Sequence, residues 1–293
     1  MVKPSVSVIL PAWNSQETVA ACLESLRAQT LHDFEVILVD SSPNTETEEL
    51  VRKRFPEVRF HRSKNRLWPH AARNLGVTLA RGNILAFSDP DCVMSPDWLE
   101  YLMNAMDAGH PLVGGSVQSL HSGWFPSGTH LCKYAWWLPG GRAGTRPELP
   151  SANVSYTSEL LGRIGPFPEQ WCGDTLLSQR AVAIGVAPWF EPKAQVLHDQ
   201  LMTWPQFLHE RSLRGYDYGM VRPRLECWSR PRLLIYVLAA PLIVAVMLLR
   251  GVSYALASGH LTRLARCLPV VALGHGARAW GEAKAHWAAF RGA

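Results

Sequence analysis

Two carboxylates flank a single proline at Asp89-Pro90-Asp91. Side chains of this type and spacing can hold a hard divalent cation through oxygen. Mg2+ or Mn2+ held by so few carboxylates completes its shell with water and substrate phosphate. The same residues also make an ordinary exposed Asp-Pro turn, so the motif needs company. Pro11-Ala12-Trp13-Asn14 places an aromatic ring and an amide where a first strand should end, and a nucleobase can stack on such a ring. Asp40 closes a second β-branched run and can accept a hydrogen bond from a base N–H or a ribose hydroxyl. A packed tryptophan and a helix-capping aspartate are the plain alternatives.

The elements that must carry these residues alternate in type. Residues 6–10, 35–39, 58–61 and 83–87 read as short buried strands. Residues 16–28, a polar stretch up to Arg54, and residues 69–80 read as helices, and Ser95-Pro96 reads as the start of another, with Ser95 as cap. Alternation of this kind implies βαβ units in an α/β fold, with a doubly wound, mostly parallel sheet and helices on both faces. Such sheets bind ligands beyond the carboxyl ends of their strands. Trp13-Asn14, Asp40 and Asp89-Pro90-Asp91 all fall there. The first strand end has no G-x-G-x-x-G, which argues against NAD or FAD.

Five motifs in order now resemble the family 2 glycosyltransferases of the GT-A fold: Pro11-Ala12-Trp13-Asn14, Asp40, Ala72-Arg73-Asn74-Leu75-Gly76, Asp89-Pro90-Asp91 and Gly173-Asp174. The similarity runs over about residues 5–220. It implies a nucleotide-sugar donor, with a UDP-sugar favoured, and Mn2+ or Mg2+ as cofactor. By this resemblance Pro11, Trp13, Asn14, Asp40, Arg73 and Asp89 contact the nucleotide. Asp89 and Asp91, joined by His198, form the metal site, and Asp174 is the catalytic base. Asn153 matches a position near the donor sugar or acceptor. The resemblance implies an inverting transfer to an acceptor hydroxyl.

The chain departs from the family in places. Asp40-Ser41-Ser42-Pro43 stands where Asp-Asp-Gly-Ser is frequent, and Gly173 replaces the usual glutamate before the base. Membrane polysaccharide synthases carry Gln-x-x-Arg-Trp; the corresponding stretch is Leu208-His209-Glu210-Arg211-Ser212. One sugar per event is therefore expected. A sugar nucleotidyltransferase would show a Gly-rich phosphate loop near the N-terminus. A non-catalytic, membrane-anchored nucleotide- or sugar-binding protein is the other alternative, and Asp174 separates it from an enzyme.

Composition sets the outer limits. The chain has 293 residues, 47% hydrophobic and 18% charged, which excludes a disordered or coiled-coil protein. Net charge is +5 with no long basic run, so no nucleic-acid partner is expected. The six cysteines form no CxxC pair and read as reduced thiols. The N-terminal residues show no signal-peptide pattern.

Residues 119–150 read as an irregular insert, a possible acceptor loop. Its Trp136 and Trp137 could stack on sugar or sit at a membrane interface, and Arg211 farther on could reach a phosphate. Residues 1–225 are thus expected to form the catalytic domain and 226–293 a membrane-associated helical region. Residues 233–249 are 17 uncharged residues, a rise of about 25 Å, marginal against a hydrocarbon core of about 30 Å. A spanning helix, half of a hairpin, and an interfacial or buried helix all stay open. The expectation is an enzyme at the cytoplasmic face of the cell membrane with a lipid-linked or glycan acceptor.

Overall fold

The computed structural model describes residues 4–170 and 172–292. In chain order the elements are β1 (Val6–Ala12), α1 (Val19–Arg27), β2 (Phe34–Asp40), α2 (Glu46–Arg54), β3 (Arg59–Arg62), α3 (Pro69–Leu79), β4 (Ile84–Ser88), β5 (Cys92–Met94), α4 (Trp98–Asp107) and β6 (Leu112–Ser119). Then come α5 (Trp124–Tyr134), β7 (Gly144–Thr145), β8 (Asn153–Thr157), α6 (Ser158–Ile164), α7 (Gly173–Ala183) and β9 (Trp189–His198). The described residues continue with α8 (Trp204–Leu225), α9 (Arg230–Leu238), α10 (Ala240–Ala257) and α11 (Leu261–Gly292).

The chain groups into two compact units. One comprises Met1–Leu120, Arg142–Glu169 and Gly173–Asp199; the other comprises His121–Gly141, Gln170–Cys172 and Gln200–Ala293. The sequence boundary after residue 225 therefore differs from the structural one, because α8 packs with α11 and belongs to the second unit.

The first unit is built on a nine-stranded sheet, counted among the described residues, in the order β3-β2-β1-β4-β8-β6-β9-β5, with β7 on β9. Strands β3, β2, β1 and β4 are parallel, as βαβ units require, and β8 then enters antiparallel, so the whole sheet is mixed. Their continuous apolar runs are explained by burial: Val8, Ile9, Leu10, Ile37, Leu38, Val39, Ala86 and Phe87 are all fully buried.

The chain runs from β1 outward to β2 and β3 and returns to pair β4 on the other side of β1, so the switch point lies between β1 and β4. Pairing there is short. Strand β1 stays in register with β2 up to Ala12↔Asp40, but with β4 only up to Ile9↔Phe87. Strand β4 itself ends at Ser88, and β1 lacks a donor there. Ser5 accepts from the Ile84 N–H on the β4 side, and Ala12 accepts from the Ser41 N–H on the β2 side. By two-residue alternation the odd-numbered residues of β1 address β4. Pro11 is one of them, and it has no N–H to give. The two strands part just where the sequence motifs begin.

Helix α4 starts later than Ser95-Pro96 suggests. Those residues form a turn, with the Trp98 N–H donating to the Ser95 carbonyl at 3.0 Å. The helix is held from afar: Gln29 accepts from the Leu99 N–H at 3.0 Å and donates to the Ser95 carbonyl at 2.7 Å.

The second unit is helical. The stretch expected to be irregular contains α5 and a 3-10 turn at Ala135–Trp137. Leu131 and Cys132 of α5 join Phe207, Ala255, Leu264, Cys267, Val270 and Val271 in one core. Small residues permit the close packing: a Cβ on Gly128 would lie 2.5 Å from Val270 Cβ. Among the described residues, α10 is the one helix long and apolar enough to cross a membrane. Among the described residues no cysteine is joined in a disulfide, and of the six Cys227 alone is exposed.

Candidate nucleotide and metal site

The parted ends of β1 and β4 and the end of β2 supply the first residues. After Ala12 the chain turns through Asn14, whose φ of 50° is a left-handed value that asparagine tolerates better than most residues. The Asn14 N–H donates to Ser42 Oγ at 2.7 Å. Ser42 in turn donates to Asp40 Oδ1 through its hydroxyl and, at 3.1 Å, through its N–H. Asp40 is fully buried, and its second oxygen, Oδ2, has no hydrogen-bond partner. A buried carboxylate oxygen left over in this way is costly unless a donor comes to meet it. The donor set of a nucleobase fits that need.

Trp13 is 36% exposed beside this carboxylate's strand, and Trp68 is 53% exposed. The Arg66 guanidinium lies over both rings, 4.4 Å from the Trp13 centroid and 4.7 Å from that of Trp68. A cation grouped with two aromatic rings suits a planar ligand.

The end of β4 is organised by charge. Asp89 Oδ1 pairs with the Arg73 guanidinium, which α3 buries. Arg73 Nη1 also lies 3.3 Å from His70 Nδ1. Asp91 Oδ2 lies 3.3 Å from His198 Nε2. The sheet brings those two together, because Cys92 is paired with His198 across β5 and β9, and the Asp199 N–H donates to the Asp91 carbonyl at 2.7 Å. Ligand atoms of Asp91, Cys92 and His198 all lie within 4.8 Å of one another. Burial, then the charges of Asp91 and Asp89, push the Cys92 thiol well above its usual range. Of the three donors, the carboxylate oxygen is the one that suits Mn2+. The same causes raise the neighbouring Cys22 thiol, which donates to the Asp89 carbonyl at 3.7 Å.

Asp174 sits in the first turn of α7, buried, with Oδ1 accepting from the Thr175 N–H at 2.9 Å. Gly173 explains how this turn approaches α3. A Cβ there would strike the Pro168 carbonyl and lie 2.7 Å from His70 Cδ2. His70 stacks on Phe167 with centroids 5.3 Å apart. One imidazole thus touches the turn that carries Asp174 and the arginine that holds Asp89.

Of the residues singled out from sequence, Pro11, Trp13, Asn14 and Asp40 gather at the ends of β1 and β2. Arg73, Asp89, Asp91 and His198 gather beyond β4, β5 and β9. Asn153, expected near the donor sugar or acceptor, has its side-chain amide engaged inside the sheet. It is fully buried in β8, donates to the Ser116 and Ala194 carbonyls, and accepts from Trp98 Nε1. Trp136, Trp137 and Arg211 belong to the second unit. There Trp137 is buried, Trp136 packs on the Tyr254 ring, and burial lowers the Arg211 pKa. Ser42, Arg66 and His70 were not foreseen. Arg66 carried a signal, a cation two residues from an exposed tryptophan, whereas Ser42 and His70 act through tertiary contacts.

Comparison with known proteins agrees with this architecture. Residues 7–164 match the model described as Glycosyl transferase family 2. Glycosyltransferase AglE of Haloferax volcanii is 27% identical over 195 residues, 64% of each chain. Putative glycosyltransferase EpsH of Bacillus subtilis is 36% identical over 110 residues, 35% of this chain and 30% of its own. The chain thus spans less than two thirds of the length of these relatives. The mannosyltransferase PcManGT of Pyrobaculum calidifontis, solved with GDP-Man and Mn2+, shares the fold at a TM-score of 0.58 and 18% identity, covering 93% of this chain and 86% of its own. S. aureus TarS shares it at 0.53 and 18%, covering 74% and 40%. With the family match extending over more than half of its residues, the chain belongs to glycosyl transferase family 2.

Proposed function

We propose that the chain is an inverting, non-processive glycosyltransferase that moves one sugar from a nucleotide-sugar donor to an acceptor hydroxyl. The observation that carries this reading is the carboxylate pair beyond β4, with Asp89 held by Arg73 and Asp91 beside His198. Asp91 and His198 would hold a divalent cation, and Mn2+ in the PcManGT complex is consistent with that choice. When bound, such an ion supplies Lewis-acid stabilisation of the diphosphate that leaves. Asp40 Oδ2 accepts from the base, and the Trp13–Arg66–Trp68 platform receives its flat face. Arg73 holds Asp89 in place through their ion pair, and Asp174 accepts the acceptor hydroxyl's proton as general base. Attack opposite the leaving diphosphate inverts the anomeric centre.

A UDP-sugar is the favoured donor, and the GDP-Man bound by PcManGT makes guanosine the first alternative to compare. The apolar helices of the second unit support attachment to a membrane; the reading puts the enzyme at its cytoplasmic face, with a lipid-linked or membrane-associated glycan as acceptor. Calorimetric titration with UDP, GDP, TDP and CDP, with and without Mn2+, tests the donor site. Binding of one nucleotide that requires both Mn2+ and Asp91, lost in Asp91→Ala, supports the reading. Failure of the folded protein to bind any of the four overturns it. Nucleotide binding with transfer unaffected by Asp174→Asn would remove the assigned base.

A further inference from the structure

The net positive charge of the chain sits in its last helices. Residues 226–293 hold eight Lys and Arg against two Asp and Glu, a net +6, while the preceding residues total −1. Within this segment α10 is two-faced. At about 100° per residue, Leu242, Ala245, Val246, Leu249, Val252 and Leu256 fall within an arc of roughly 120°. All six are exposed, Leu242, Leu249 and Leu256 by 65%, 69% and 64%. The opposite side carries Gly251 and Ala255, both buried, and Ala255 packs with Leu264, Cys267 and Val271 of α11.

Arg250 decides how this stripe meets a bilayer. It is exposed at the flank of the stripe, ten residues and so about 15 Å along the helix from Ala240. A helix crossing a hydrocarbon core of about 30 Å would hold that guanidinium near the midplane, the costliest depth. In a helix lying flat, the arginine stem runs along apolar surface and its head reaches the phosphates. Helix α11 repeats the pattern, with exposed Leu261, Leu268 and Leu273 followed by Trp280 and Trp287. Lys284 Nζ lies 5.8 Å from the Trp280 ring centroid. Aromatic and cationic side chains together suit the headgroup boundary.

We infer that α10 lies in the plane of an anionic lipid surface, with its Leu242–Leu249–Leu256 stripe immersed and Arg250 at the phosphates, and that it does not span the bilayer. This inference rests on the membrane reading proposed above and deepens it. The test uses the full chain with Cys227→Ser, the exposed thiol, and one added cysteine in turn: Leu242→Cys, Leu249→Cys or Leu256→Cys. Each carries an environment-sensitive fluorophore and is mixed with phosphatidylcholine vesicles containing roughly one third phosphatidylglycerol. Lipids brominated at shallow or deep acyl positions quench the probe.

The expected result is flotation with the vesicles and equal, shallow quenching at all three positions. Binding should weaken about tenfold or more without the anionic lipid and in Leu249→Glu. Deep quenching at 249 with shallow quenching at 242 and 256 would establish a spanning helix and overturn the inference while leaving membrane attachment intact. Absence of flotation with any vesicle would overturn the membrane reading itself. A blue-shifted probe without lipid, together with a dimer in solution, would assign the stripe to a second copy and overturn the inference.

Discussion

The pair of Arg73 and Asp89 is lopsided, and its two halves should not cost the same to remove. The Arg73 side chain is 3% exposed and that of Asp89 25%. Asp89→Asn leaves a guanidinium buried without its carboxylate; its Nε already has no hydrogen-bond partner. Stranding a buried charge costs about 3–5 kcal/mol. Arg73→Met leaves a carboxylate that reaches water, so its penalty is about 1–2 kcal/mol, with the methionine replacing part of the packing. The difference of about 2 kcal/mol amounts to roughly 4–8 °C in a unit of this size. Urea unfolding followed by circular dichroism, with calorimetric melting beside it, measures both variants. The double variant should fall short of the sum of the single losses by about 1.5–3 kcal/mol, because neither charge is then stranded. Equal losses in the two single variants, or strict additivity in the double, would refute the argument that burial of the arginine dominates.

Three further outcomes are expected. Asp40→Asn keeps an acceptor for Ser42 but offers an N–H where Oδ2 now stands, so nucleoside-diphosphate affinity should fall about 10–100-fold by calorimetry, a loss of about 1.4–2.8 kcal/mol; unchanged affinity would remove Asp40 from the base site. Gly173→Ala forces the α7 turn away from His70 and the Pro168 carbonyl, and should cost about 1–3 kcal/mol of stability and misplace Asp174; a fully active, equally stable variant would contradict the close packing. Against the burial that raises it, hydrogen bonds from Ser7, Arg59 and Arg81 hold Glu35 down to about 2. Its stabilisation is present above the ordinary carboxylate pKa and is lost as pH falls from about 4.5 toward 2. Urea midpoints measured across that window should drop less steeply in Glu35→Gln than in the parent, and identical slopes would exclude the group.

What was legible in the sequence follows from what is local. Strands β1, β2 and β4 announce themselves as short apolar runs leading into Pro11, Asp40 and Asp89, and the parallel connection then forces their carboxyl ends together. The start of α4 was not legible, because the group that holds it is Gln29, some seventy residues away. Helix α5 was hidden by its composition: Gly123, Pro126, Ser127 and Gly128 look like loop, yet Gly128 is small because Val270 of α11 lies against it. Asn153 was read toward a substrate from its place in a motif, while its three hydrogen bonds spend its amide inside the sheet. Ser42 and His70 gain their roles only through the residues that folding brings beside them.

The parting of β1 from β4 at Pro11 has an evolutionary meaning. The opening is encoded in part in the main chain, where Pro11 and Pro90 have no N–H to offer. Exchanges at Trp13, Arg66 and Trp68 can therefore redraw the mouth of the proposed donor site without restoring the missing donor between the strands. The parting of the strands and the face of the platform rest on different positions, and a lineage can drift in the second while prolines keep the first.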